Sequence, residues 1–265
     1  MNEARCPVVI LCGGKGTRLR EETEYKPKPM VEVGGKPILW HVMRNFAVHG
    51  FRDFVICLGY RGELIREYFL QYRAMSQDFT VRLGTTSETV YREGGDVLDG
   101  CSVTLVDTGQ ETETGARVAQ VGAYLDGQRF IVSYGDGLAN LDASGLFEFH
   151  CAHGRQATVT AVRASSRFGV LELDGDVVAS FSEKPLLHDW ISAGYFVFER
   201  AVLERFDPEE GMLEHAPMQA LARENQLRAF RHEGFWQPMD TYREYELLNG
   251  LWQSGAPPWL TPISA

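Results

Sequence analysis

Val8-Val9-Ile10-Leu11-Cys12-Gly13-Gly14-Lys15-Gly16-Thr17-Arg18-Leu19 is the stretch on which the reading of this chain turns. Its apolar front is short and rich in β-branched residues, which predicts a buried strand. That strand opens directly into glycines. Gly13, Gly14 and Gly16 carry no Cβ, so the backbone there can approach a ligand closely and take positive φ at little cost. Successive N–H groups in such a turn form a concavity for anions. Arg18, and Lys28 in the following Lys26-Pro27-Lys28-Pro29-Met30, add the full charges that a polyphosphate needs.

Two familiar phosphate loops do not fit. A P-loop requires Lys-Ser/Thr after its last glycine, whereas Thr17-Arg18 follows Gly16 here. A dinucleotide fingerprint requires a third glycine, and Leu19 stands in its place.

Outward from this loop the chain alternates strand and helix. Strands are expected at Phe54–Leu58, Val103–Val106, Phe130–Tyr134 and Ala157–Val162. Helices are expected at Lys36–His49, Leu64–Tyr72, Ala116–Leu125 and Ser144–His153. Repeated β-α-β units predict a mostly parallel sheet with helices on both faces and ligands at the carboxyl ends of the strands. The glycine loop and Asp136, just beyond Tyr134, both fall at such ends. The polar stretch from Gly84 to Gly100 reads as a loop or hairpin excursion. After Ser165 come strand-like pieces at Val170–Leu173, Val177–Phe181 and Gly194–Phe198, a helix at Leu213–Glu224, a strand at Leu227–Phe230 and a closing helix at Thr241–Trp252.

The 265 residues suffice for a substantial core, and 44% hydrophobic with 23% charged residues is a globular composition. A formal net charge of −10 argues against a nucleic-acid or anionic-membrane partner. Five scattered cysteines without Cys-x-x-Cys spacing read as reduced thiols. The polar start and the absence of any apolar run near the roughly 20 residues of a membrane span lead us to expect a cytoplasmic protein. The histidines fit no zinc spacing.

Several further residues have the types that phosphate chemistry uses. Asp136 follows a strand and is flanked by Gly135 and Gly137; taken alone it reads equally as a turn residue. Asp240 precedes the closing helix and reads equally as its N-cap. Pro27 and Pro29 bracket Lys28 and stiffen the backbone around it.

Taken together, Gly-Gly-x-Gly-Thr-Arg-Leu, Lys26-Pro27-Lys28-Pro29-Met30, Tyr134-Gly135-Asp136-Gly137, Glu183-Lys184-Pro185 and Gly234-Phe235-Trp236-Gln237-Pro238-Met239-Asp240-Thr241 resemble the sugar-1-phosphate nucleotidylyltransferases, and among these the cytidylyltransferases that act on glucose 1-phosphate. The resemblance runs from Val8 to about Trp259. It implies a Rossmann-like three-layer α/β/α fold with a mixed, mostly parallel sheet and a smaller β-rich sugar-binding subregion. One domain is expected, its nucleotide part at about 6–164 and its sugar and metal part at about 165–265.

The implied reaction is attack by a sugar-1-phosphate oxygen, already anionic at neutral pH, on the α-phosphorus of CTP. By resemblance, Arg18 and Lys28 are the catalytic cations, and Asp136 and Asp240 form a split Mg²⁺ site and count as catalytic. The nucleotide would be held by Leu11, Cys12, Gly13, Gly14, Lys15, Gly16, Thr17, Arg18, Lys28, Thr112, Arg117 and Gly135. The sugar phosphate would meet Tyr134, Glu183, Lys184, Ser192 and Gly194. Ser192-Ala193 departs from the family's Asn-Gly, and the asparagine contacts sugar there. A hydroxyl offers less than an amide's donor and acceptor pair, so sugar choice is the property this change touches. Partners are CTP and a sugar-1-phosphate, with glucose 1-phosphate expected, and a homo-oligomer is implied.

Overall fold

The run ahead of the glycine loop forms a central strand. The computed structural model describes residues 6–14, 16, 19, 23–84, 88–92, 95–166 and 168–260. In chain order its elements are β1 (Val8–Cys12), β2 (Glu32–Val33), β3 (Lys36–Pro37), the helix Ile38–Val48, β4 (Asp53–Leu58), the helices Gly62–Leu70 and Tyr72–Ser76, β5 (Phe79–Arg82), β6 (Glu88–Tyr91), β7 (Ser102–Asp107) and the helix Thr114–Gln120. Then follow β8 (Arg129–Tyr134), β9 (Gly137–Ala139), the helix Ala143–His153, β10 (Ala157–Val162), β11 (Val170–Asp174), β12 (Val177–Ser182), β13 (Ile191–Glu199), the helix Ala216–Arg223, β14 (Leu227–Arg231), β15 (Trp236–Pro238) and the helix Tyr242–Gln253.

Seven strands make the main sheet in the order β14-β10-β13-β8-β1-β4-β7. Adjacent strands run parallel except at β13, which is antiparallel to both β8 and β10. All of β1 is buried, as a strand covered by helices on both faces must be. Its alternate side chains feed two cores. Val8, Ile10 and Cys12 join Phe54, Ile56 and Leu58 under Leu39, Met43 and Phe46 of the helix Ile38–Val48. Val9 and Leu11 join Val55 and Cys57 under Val118 and Leu221 on the other face. The period-2 split of one strand between two helix layers is the three-layer architecture that the β-α-β pattern predicts.

Two topological details build the site. The reversed strand β13 brings its starting end, at Ser192, to the edge where β8 and β1 finish, since Tyr195 pairs with Ser133. The short ladder of β9 with β15 pairs Gly137 with Pro238, and the Met239 N–H donates to the Asp136 carbonyl at 2.9 Å. Asp136 and Asp240, distant in sequence, therefore flank the same ladder end.

The polar excursion, expected as a loop or hairpin, includes one strand of a hairpin, because Phe79-Thr80-Val81-Arg82 pairs with Glu88–Tyr91. The structure departs from expectation at element ends. The helix expected from Leu213 starts at Ala216, with Pro217 in its first turn; proline suits that position, where no N–H partner is needed. β13 extends three residues earlier than expected, past Gly194 at φ +82°. Among the described residues no helix is long and apolar enough to cross a membrane.

Candidate active site

Lys28 opens a tight turn, Lys28–Met30, entered from Pro27 in extended conformation and stiffened by Pro29. The turn buries the lysine stem and delivers its ammonium between two carboxylates. Lys28 Nζ donates to Asp136 Oδ2 at 2.6 Å and to Asp240 Oδ1 at 2.5 Å. Burial alone would pull the Lys28 pKa down, but the charge and hydrogen bonds of Asp136 and Asp240 outweigh it and leave it raised. Lys28 therefore stays cationic.

Asp240 is not the cap of the closing helix. Thr241 and Glu244 form a capping box there, and Glu244 Oε2 accepts from the N–H groups of Asp240 and Thr241 at 2.7 and 2.9 Å. The Asp240 carboxylate faces Lys28 instead. One cation already lies within reach of both carboxylates, so the pair fits a divalent metal completed by phosphate oxygens and water. Among the described residues no third His, Cys, Asp or Glu joins them in a metal-ligating group.

The two aspartates stand where two cavities meet. The first, about 210 Å³, is lined by Leu11, Cys12, Gly14, Gly16, Lys28 and Pro29 together with Asp136 and Asp240. The second, about 360 Å³, is lined by Tyr134, Gly137, Ser192, Ala193, Gly194, Tyr195, Glu214, Trp236 and Pro238, again with Asp136 and Asp240. Of the expected nucleotide residues, the glycine loop and Lys28 thus share one space. Arg18, Lys15 and Thr17 lie outside the described residues. Gly135 sits behind the loop, its N–H donating to the Leu11 carbonyl at 3.2 Å.

Arg117 has a different place from the one expected of a nucleotide contact. It is buried, and its guanidinium donates to the Leu58, Gly109, Gly13 and Gln110 carbonyls and to the Thr108 hydroxyl, at 2.6 to 3.4 Å. It ties together the carboxyl ends of β4 and β7 and the loop after β1. A Cβ on Gly13 would fall 2.0 Å from the Arg117 guanidinium carbon, so this glycine is required by what lies beneath the loop. Thr112 is half-buried and lines neither cavity.

In the second cavity, Tyr134, Ser192 and Gly194 come together. Gly194 is at φ +82°, and a Cβ there would sit 2.6 Å from the Tyr134 ring. Ser192 Oγ accepts the Gly194 N–H at 3.3 Å. Glu183 and Lys184 do not join them. They follow β12, pair with each other at 2.9 Å, are substantially exposed and line neither cavity. Glu214 is a cavity residue that sequence reasoning missed, having placed it inside a helix. Pro217 was the available signal, since it marks the helix start and leaves Glu214 in the preceding turn.

A Rossmann-like sheet carrying a glycine loop, a shared lysine and an aspartate pair between two cavities defines a nucleotidyl-transferring enzyme class. The chain belongs to the nucleotidyl transferase family, whose profile matches residues 7–245. It is 46% identical to proteins named glucose-1-phosphate cytidylyltransferase from Salmonella typhi and from Salmonella typhimurium, each over 96% of this chain and 98% of the relative. The structure of HddC from Yersinia pseudotuberculosis superposes with a TM-score of 0.67, covering 93% of this chain and 99% of that one. At 22% identity that likeness establishes the fold alone.

Proposed function

We propose that this chain transfers the cytidylyl group of CTP to α-D-glucose 1-phosphate, giving CDP-glucose and diphosphate, with Mg²⁺ as cofactor. A phosphate oxygen of the sugar-1-phosphate forms a bond to the α-phosphorus of CTP as the bond to the β-phosphate oxygen breaks. The observation that carries this reading is the meeting of two cavities at Asp136, Asp240 and Lys28. Nucleotidyl transfer between two anions needs such a meeting point, where both substrates are held together and charge is neutralised.

The nucleophile is already ionised, so the residues bind and orient and need not abstract a proton. Backbone N–H groups of the loop from Leu11 to Gly16 would receive the triphosphate. Lys28, kept charged by its carboxylate partners, offsets the charge that spreads over the phosphoryl oxygens. Arg18 is assigned the same task by resemblance. Asp136 and Asp240 would hold Mg²⁺, which when bound supplies Lewis-acid neutralisation of the phosphates. Arg117 acts indirectly, by fixing the loop. Residues about 6–164 carry the nucleotide side, and about 165–265 most of the sugar side, within one domain.

The relatives' names support cytosine as the base and glucose 1-phosphate as the acceptor. One observation favours a second acceptor: Ser192 lines the sugar cavity where the family has asparagine, so the same transfer to another hexose 1-phosphate is the competing reading. We also assign a homo-oligomer, supported by the exposed apolar side chains of the β11–β12 hairpin, among them Leu173, Val177 and Phe181.

Diphosphate release measured over CTP, UTP and dTTP against glucose, mannose and galactose 1-phosphates tests the assignment. CTP with glucose 1-phosphate should give the highest kcat/KM. Equal rates with UTP would overturn the choice of base, and a strong preference for another sugar would overturn the acceptor.

A further inference from the structure

The glycine loop is held from its side by a threonine that lines neither cavity. Thr23 is 4% exposed. Its hydroxyl donates toward the Gly16 carbonyl at 2.9 Å and the Leu19 carbonyl at 2.8 Å. The backbone repeats the tie: the Leu19 N–H donates to the Gly16 carbonyl and the Thr23 N–H to the Leu19 carbonyl, each at 3.0 Å. Leu19 belongs to the core cluster that also holds Leu39 and Met43. Gly16, Leu19 and Thr23 therefore close one arc, anchored in the core at Leu19.

Both arms of the threonine side chain are used. Gly16 stands at φ +61°, and a Cβ there would fall 3.1 Å from the Thr23 methyl carbon and 3.2 Å from Lys28 Cβ. Gly16, which lines the first cavity, is thus gripped between Thr23 and the stem of Lys28. Beyond Thr23 lies Tyr60, two residues past the end of β4. The Tyr60 hydroxyl donates toward the carbonyls of Thr23 and Glu24 at 3.3 and 3.1 Å, and the Tyr60 N–H donates to the Gly13 carbonyl at 3.2 Å. Arg61 Nε donates to the same hydroxyl at 3.2 Å, so the tyrosine proton is left for the two carbonyls. Tyr60 therefore holds both the start of the glycine loop and the segment that leads into Lys26-Pro27-Lys28.

We infer that Thr23 is a positioning residue for nucleotidyl transfer, with Tyr60 as its latch. Thr23 touches no substrate. It sets Gly16 and Lys28 relative to each other, so that the loop N–H groups and the ammonium meet one triphosphate together. This rests on the reading of the first cavity as the nucleotide site. Preorganised donors work only where they stand at the right distance, and a misplacement of about 1 Å costs on the order of a hundredfold. The position calls for a methyl and a hydroxyl on one short side chain. Valine keeps the packing and loses the donor, whereas serine keeps the donor and loses the methyl.

The test measures kcat and KM for CTP and for glucose 1-phosphate in wild type, Thr23→Val, Thr23→Ser and Tyr60→Phe, with Tm as the check on folding. Thr23→Val should lower kcat/KM for CTP by about tenfold to a hundredfold, while KM for glucose 1-phosphate stays within about twofold. Thr23→Ser restores the donor and should return kcat/KM for CTP to within about threefold of wild type. Tyr60→Phe removes the hydroxyl and keeps the N–H, so a loss of about threefold to tenfold is expected. It carries the test if Thr23→Val does not fold. A lowered Tm with unchanged kcat/KM for CTP in the folded variants would make Thr23 a purely structural residue and overturn the proposal. Equal rises in KM for CTP and for the sugar phosphate would also overturn it, as would a serine variant no better than the valine one. A wild type that neither binds CTP nor turns it over would instead refute the nucleotide-site reading on which the proposal rests.

Discussion

The two cavities that meet at Asp136 and Asp240 are built in opposite ways. The first, which we assign to the nucleotide, comes mostly from one contiguous loop plus Lys28, seated on a fully buried strand. The second, which we assign to the sugar, is collected from separate segments: the end of β8, the start of β13, the turn at Glu214 and the strand β15. The first can be rigid because a sheet and the guanidinium of Arg117 support it from below. The second depends on side chains meeting across elements, so its composition can change one segment at a time. In the function proposed above, transfer chemistry is lodged in the first and substrate choice in the second, with Ser192 an instance of that separation.

If chemistry resides on the nucleotide side, Lys28→Ala should lower kcat by on the order of 10²–10³-fold, the scale for removing one preorganised electrostatic group. Lys26→Ala should cost about tenfold or less, because Lys26 lines neither cavity. Equal losses at the two positions would place the catalytic cation wrongly.

The next effect concerns the support of the short β2–β3 hairpin that follows the Lys28 turn. His41 Nδ1 accepts from Trp259 Nε1 at 3.1 Å, so its proton is on Nε2, which donates to the Val33 carbonyl at 2.9 Å. Burial pulls its pKa from 6.5 down to about 4. The unfolded chain therefore binds the proton first as pH falls. The stabilisation is complete above about pH 6.5 and lost as pH drops toward 4, on the order of a few kcal/mol. Urea unfolding from pH 7 to 4 should show that decline, and His41→Gln should flatten part of it. An unchanged slope in the variant would show that protonation of His41 does not cause the decline.

Arg117→Met separates support of the loop from contact with nucleotide. It leaves several buried carbonyls without a donor, a loss of about 2 kcal/mol or more, read as a fall in Tm of roughly 4–8 °C in the absence of any ligand. An unchanged Tm with a raised KM for CTP would mean that Arg117 touches nucleotide directly. The smallest effect belongs to the sugar side: Ser192→Asn should shift kcat/KM for glucose 1-phosphate only several-fold, as one neutral hydrogen bond does. A shift of a hundredfold or more would show that the sugar side is as preorganised as the loop.

The same contrast explains what could be read from the sequence. The strand–loop–helix alternation was legible because buried strands and amphipathic helices leave periodic signals: β10 matches its expected bounds, and the helix Ile38–Val48 lies within its expected one. The loop and Lys28 were legible because glycines and proline-flanked lysines are rare local patterns. Asp136 and Asp240 were legible as candidates, but their meeting depends on the β9–β15 ladder, three residues a side, too short to announce itself. Glu214 carried no local signal except Pro217. The pairing of Glu183 with Lys184 away from the cavities is a tertiary outcome that the motif Glu183-Lys184-Pro185 does not encode.

If Asp136 and Asp240 act as one unit at the junction, a double-variant cycle separates that from two independent roles. Turnover of CTP with glucose 1-phosphate is measured at saturating Mg²⁺ for Asp136→Asn, Asp240→Asn and the double variant, with Tm as the check on folding. Each single change should cost orders of magnitude, and the double variant should be within a few-fold of the worse single one, because residues that share one task lose it once. Multiplying effects, or near wild-type turnover in either single variant, would contradict the shared site.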